Sequence, residues 1–208
     1  MQNNSKPLTS MVYDYVYGEI TNGNITPNDI LTESSLVNQL KVSKSPVREA
    51  LILLCEENVL QAIPRTGYRP IQITPEQIAH LIEARYALEP FMLAKAWPVM
   101  DDVKIAQIEH CRELCKKDEL VNTSIQDNWR RNIDFHTLLA GFSGNQYLLD
   151  ALKRTLKTCA RASNQYFRNV RGIPRGDDDL HDAILRGLKE RDYEKTLAAL
   201  NEDLRQII

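Results

Sequence analysis

The chain has 208 residues, of which 43% are apolar and 26% charged, and its formal net charge is −2. Those values belong to an ordinary soluble globular protein, and the length suits two domains of roughly 70 and 130 residues. No global basic character advertises nucleic-acid binding: residues 1–74 carry six Lys/Arg against seven Asp/Glu. A DNA-binding argument must therefore rest on where the cations sit. The polar start Met1–Lys6, followed by an apolar cluster broken by Asp14 and Glu19, does not read as a secretory leader. The charge-free apolar run Ala50–Cys55 is far too short to cross a bilayer. Cys55, Cys111, Cys115 and Cys159 form no CxxC pair, and Cys111 and Cys115 lie one helical turn apart, poorly placed for a disulfide. They read as reduced thiols of a cytoplasmic protein.

In chain order, Leu8, Val12, Val16 and Ile20 recur every four residues and predict a first helix that ends near Gly23. Thr32 is a natural N-cap for a short second helix burying Leu36, Val37 and Leu40. After the tight connection Lys41–Ser43, a third helix starts at Lys44, with Ser43 as its cap and Pro46 tolerated in its first turn. It buries Val47, Ala50, Leu51 and Leu54, and Asn58 suits the left-handed residue that closes a helix. Residues 60–63 and 68–73 then read as two strands around Pro64–Gly67, with Gly67 available for positive φ. Pro70 weakens the second strand unless it lies on an edge. Three helices and a hairpin make a winged helix-turn-helix.

From Thr74 onward the pattern is helical throughout, with helices expected near 75–98, 102–119, 124–141, 145–170, 177–189 and 192–207. The fold class is thus mainly α: a winged helix-turn-helix over 1–74, followed by a bundle of about six helices over 75–208.

A helix-turn-helix places its second helix in the major groove. The exposed face of that helix offers Lys44, Ser45, Arg48 and Ile52, with Lys44 and Arg48 one turn apart and pointing the same way. Ser43, Lys44 and Ser45 also present backbone N–H groups at a helix start, a favourable place for a phosphate. Arg65, Thr66 and Gly67 form a tip that can enter or straddle the minor groove, and Arg69 follows on the second strand. Any one of these features is commonplace on a solvated face; their order along the chain is what carries specificity. Over Ile20–Tyr68, and above all in Val42-Ser-Lys-Ser-Pro-Val-Arg-Glu-Ala-Leu51, the sequence resembles the DNA-binding domain of GntR-type regulators. The resemblance implies that Ser43, Lys44 and Arg48 contact bases and phosphates and that Gly67 marks the wing tip. Ser34 stands where some members carry Arg, which weakens or removes that contact.

The remainder resembles the FadR-type C-terminal domain of the same family through Asn132-Ile-Asp-Phe-His136, Phe142-Ser-Gly-Asn145 and His181-Asp-Ala-Ile-Leu185. The resemblance implies a metal site, which falls on Asn132, His136, His181 and Asp203. Here Asn replaces the usual Asp, and Asp203 restores a carboxylate where a His would stand. Mixed N/O ligation suits one divalent ion such as Zn²⁺, Ni²⁺ or Mn²⁺. The other reading is that His136 and His181 hydrogen-bond each other or an effector across a polar cavity. An effector with a carboxylate would suit Arg85 or Arg161, although Arg85 and Glu89 are i, i+4 and can simply pair on the surface. Trp129, Phe135, Tyr166 and Phe167 read as core, and His80 and His110 as surface or capping histidines. The expected protein is a ligand-responsive regulator, not an enzyme, that binds an inverted-repeat DNA operator as a homodimer without membrane contact. The rival reading is a helical metal-dependent hydrolase built on His136 and His181, without any HExxH, nucleophile elbow or phosphate loop to support it.

Overall fold

Leu8–Thr21 forms helix α1, Glu33–Leu40 α2 and Lys44–Glu56 α3 in the computed structural model, which describes residues 7–122, 125–167 and 178–205. Val12 and Val16 of α1 meet Leu36 of α2 and Val47, Ala50, Leu51 and Leu54 of α3 in one buried cluster. Leu8, expected on the same stripe, is exposed at the first turn of α1. Thr32 caps α2 in a reciprocal box: its hydroxyl accepts from the Ser35 N–H at 3.1 Å while the Ser35 hydroxyl accepts from the Thr32 N–H at 3.3 Å. Lys41 closes α2 in the left-handed conformation, as does Asn58 just past α3.

Strands β1 (Leu60–Ile63) and β2 (Gly67–Pro70) pair antiparallel, Leu60 opposite Pro70 and Ile63 opposite Gly67. β2 starts one residue before the expected 68–73 and ends at Pro70, although the Ile71 N–H still donates to the Val59 carbonyl at 3.0 Å. On its other edge Tyr68 pairs with Leu31, with both N–O distances at 2.8 Å, so the hairpin is stitched to the segment leading into α2.

The chain divides into two compact units, Met1–Ile73 and Thr74–Ile208. In the second unit α4 (Pro75–Ala96) is capped by Thr74 and leads through a 3-10 turn at Trp97–Val99 to α5 (Asp102–Glu119). There follow α6 (Ile125–Gly141), α7 (Gln146–Phe167), α8 (Asp178–Lys189) and α9 (Tyr193–Arg205). Expected helix at 124, 168–170, 177 and 206–207 lies outside the described residues. One core cluster joins Leu93, Ile108, Phe135, Ile184 and Leu200; a second joins Met92, Trp129, Leu152 and Leu156. Gly187 lets α8 lie close on α9, since a Cβ there would sit 2.5 Å from the Thr196 hydroxyl. Trp129 and Phe135 are core as expected, whereas Tyr166 is exposed. The four cysteines are free thiols, and among the described residues no helix is long and apolar enough to cross a membrane.

Candidate functional site

The first candidate surface lies at the start of α3. Its buried stripe turns Val47, Ala50, Leu51 and Leu54 inward, which leaves Ser43, Lys44, Ser45 and Arg48 exposed on the other side. Ser43 occupies the N-cap position but makes no capping hydrogen bond, so the first-turn N–H groups of α3 have no side-chain cap. Ser45 is less available than its exposure suggests, because its hydroxyl donates to Glu49 at 3.0 Å. Both cations converge on one acid, Glu33 of α2. Arg48 reaches it through Nε at 3.0 Å and Nη2 at 3.3 Å, and Lys44 through Nζ at 3.3 Å.

At the hairpin tip, Arg65 and Thr66 are exposed while Gly67 and Arg69 are half-buried. The left-handed turn residue is Arg65 (φ 63), behind Pro64, with the Thr66 N–H donating to the Ile63 carbonyl at 3.1 Å. Gly67 also takes the positive φ expected of it. At φ 146 it packs so closely that a Cβ would fall 2.2 Å from the Leu31 carbonyl oxygen. A groove of about 680 Å³ runs between the α2 N-terminus and the tip, lined by Glu33, Lys44, Arg65, Thr66 and Tyr68 among others.

The second candidate site is a buried polar pocket in the helical unit. Arg85 and Glu89 enter from α4, His136 from α6, His181 from α8 and Asp203 from α9, all of them buried. His136 is held at both ring nitrogens: Nδ1 lies 2.6 Å from Glu89 Oε2 and Nε2 lies 3.0 Å from Asp203 Oδ2. His181 Nε2 stands 3.2 Å from His136 Nε2 and 3.5 Å from Asp203 Oδ1, and its ring stacks on Phe135 at 4.2 Å between centroids. Next to His181, Asp182 accepts from Arg112 of α5 at 3.0 Å, which ties α8 to α5.

Charge is concentrated here. Burial works against a proton on His136, but Glu89 and Asp203 outweigh it and push its pKa up to about 9. Burial likewise opposes ionisation of Glu89, yet the Arg85 guanidinium and His136 hold it well below the usual carboxylate range. Asp203 is lowered against the same penalty by His136, His181 and Arg85. Arg85 Nη1 and Nη2 nonetheless have no hydrogen-bond partner, and on α6 the buried Asn132 Oδ1 has none either. Arg85 thus brings two unsatisfied cationic donors into the pocket.

Arg85 and Glu89 do pair at i, i+4, but the pair is buried, not on the surface. The signal was present in the sequence: both fall on the stripe Ile78, Arg85, Glu89, Met92, Ala96 that α4 turns inward. Arg161 is also buried, on α7. His80 and His110 are exposed. Glu33, and the contact of Glu89 with His136, were missed because those partners lie on other elements.

An exposed basic helix start beside a hairpin tip, on a fold of this order, defines a winged-helix DNA-binding protein, and the class is that of transcription regulators. Residues 8–69 match the bacterial regulatory proteins of the gntR family and residues 80–206 match the FCD domain. The chain belongs to the GntR family, with an FCD domain as its C-terminal part. It is similar to the HTH-type transcriptional repressor GlaR of Escherichia coli K12, at 25% identity over 92% of this chain and 90% of that protein. It is similar also to the gluconate operon transcriptional repressor of Bacillus subtilis, at 25% identity over 88% of this chain and 76% of that one. Among solved structures, E. coli McbR/YncC superposes with a TM-score of 0.80 at 21% identity, over 97% of this chain and 95% of that one. The assignment favours the regulator over the hydrolase reading.

Proposed function

We propose that residues 1–74 read an inverted-repeat operator as one half of a homodimer, and that residues 75–208 dimerise and sense a small organic acid held beside a divalent cation. Ser43, Lys44, Arg48, Arg65 and Thr66 supply the DNA contacts, Ser45 lies at the edge of that surface, and Gly67 sets the wing. The observation that carries the sensor reading is the convergence of His136, His181 and Asp203, whose donor atoms lie within 4.8 Å of one another.

The donor set fits a metal. The 3.2 Å between the two His Nε2 atoms is close to the edge of a tetrahedral N/O shell, roughly 3.3 Å for ligands about 2 Å from the ion, and each Nε2 has an Asp203 oxygen within 3.5 Å. Glu89 on His136 Nδ1 is the outer carboxylate that commonly orients a ligating imidazole toward its ion. Asn132, one turn before His136, offers an orphaned amide oxygen as a fourth donor. A cation would satisfy the Asn132 amide oxygen, and a carboxylate the two orphaned Arg85 donors; Arg161 is a second candidate for the acid. Zn²⁺, Ni²⁺ and Mn²⁺ all suit such a shell. The protein would act in the cytoplasm.

Thermal melting after chelator treatment tests this. Adding Zn²⁺, Ni²⁺ or Mn²⁺ is expected to raise the melting temperature of the wild type, because a ligand of the native state alone stabilises it. His136→Ala and His181→Ala remove that shift, while His80→Ala and His110→Ala keep it. An equal shift in all five proteins would sink the site.

A further inference from the structure

Glu33 is the residue to which both recognition-helix cations are bound, and no contact assigned above gives it a role of its own. We propose that Glu33 is a positioning residue that determines DNA specificity: it locks the Arg48 guanidinium so that its free edge faces a guanine, and restrains Arg48 and Lys44 from indiscriminate phosphate binding. The inference rests on reading α3 as the recognition helix.

A guanidinium has five N–H donors in a rigid planar fork. Glu33 engages the side edge, through Nε to Oε1 and Nη2 to Oε2 at 3.0 and 3.3 Å. What is left is the end edge, one Nη1 hydrogen and the second Nη2 hydrogen lying parallel, the pair that matches O6 and N7 of guanine in the major groove. The carboxylate sits at the root of the arrangement: its side chain is 19% exposed, against 57% for Arg48 and 68% for Lys44. Its backbone is fixed by the Thr32–Ser35 capping box that opens α2, and a helix N-terminus favours a negative charge there. The Arg48 hydrogen bonds hold Glu33 below the usual carboxylate range, against the opposing effect of desolvation, so it stays ionised at neutral pH. Electrostatically, one acid against two cations leaves the cluster a single net positive charge, which limits the sequence-independent attraction to phosphates. A freely rotating Arg48 would lose more conformational freedom on docking and would meet phosphates as readily as bases.

A purely structural role for Glu33, as an acid in the first turn of α2, predicts a loss of stability with affinity falling alike on every duplex. The test begins with a duplex enriched from a randomised library by the wild type and a shuffled duplex of the same composition. Fluorescence anisotropy across a salt series is then measured for the wild type, Glu33→Gln, Glu33→Asp and Arg48→Ala. Glu33→Gln is expected to bind the shuffled duplex more tightly, with a salt slope steeper by about 0.9 per cation released. Its ratio of enriched to shuffled affinity should fall roughly ten-fold, the scale of one good Arg–guanine contact. Glu33→Asp should recover part of that ratio. Replacing the critical guanine by 7-deazaguanine, which lacks the N7 acceptor, should weaken the wild type and leave Arg48→Ala unaffected. A Glu33→Gln protein that loses both affinities in parallel, or keeps the wild-type ratio, overturns the proposal. So does a wild type indifferent to every 7-deazaguanine, a result that needs no variant to fold. Failure of the wild type to enrich any sequence would remove the recognition-helix reading itself, and the proposal with it.

Discussion

Arg48 projects from α3 with its guanidinium tied only at one edge. Its substitution should therefore separate DNA reading from folding. Arg48→Ala is expected to cost about 1–3 kcal/mol of operator affinity with an unchanged melting curve. Lys44→Ala should weaken binding evenly across sequences and flatten the salt dependence by about one unit. Unaltered operator affinity in a folded Arg48→Ala protein would remove the assignment. His136 makes a second prediction at the same scale. Its pKa of about 9 in the folded protein lies above its ordinary 6.5, so the protonated ring favours the native state. That stabilisation is complete below pH 6.5 and is lost as pH rises through about 9. In chelator-treated protein the melting temperature should fall across that interval, and His136→Gln should flatten the fall. Parallel curves for the two proteins would contradict it.

Among elements, the hairpin depends on Gly67 and Leu31 together. Gly67→Ala forces a Cβ to within 2.2 Å of the Leu31 carbonyl at a φ that L residues rarely adopt. The predicted cost is about 1–3 kcal/mol, read as a lower urea midpoint, together with weaker DNA binding as the wing shifts. An unchanged midpoint would show that the Leu31–Tyr68 pairing tolerates displacement. The helices of both units were legible because apolar stripes and caps such as Thr32 and Thr74 are local signals. The Leu31 bridge was not, since a single paired residue leaves no period in the sequence. Pro70 is tolerated as expected, paired with Leu60 in a two-stranded hairpin beyond which the Ile71 N–H still donates to the Val59 carbonyl at 3.0 Å.

Over the whole molecule, the helix-turn-helix and its basic face could be read from residue types and spacing, and the His136/His181/Asp203 set only from what the family resemblance implies. The carboxylates that organise them could not. Glu33 meets Arg48 from 15 residues away and Glu89 meets His136 from 47, distances at which only the packed fold decides neighbours. Glu89 lies on the inward stripe of α4, but nothing in that stripe names His136 as its partner. The consequence for function is that each site is a cation–carboxylate arrangement and not a cluster of one sign, which suits a protein whose net charge is only −2.

The proposed function requires two-fold, sequence-specific reading of DNA by the α3 surface. Selection of duplexes from a randomised library by the full-length wild type, with Arg48→Ala run in parallel, measures this directly. The predicted result is an enriched inverted repeat, its half-sites spaced by about one helical turn or a multiple of it, bound by two chains and absent from the Arg48→Ala selection. Enrichment of an asymmetric site by a single chain, or of the same sequence by Arg48→Ala, would contradict it.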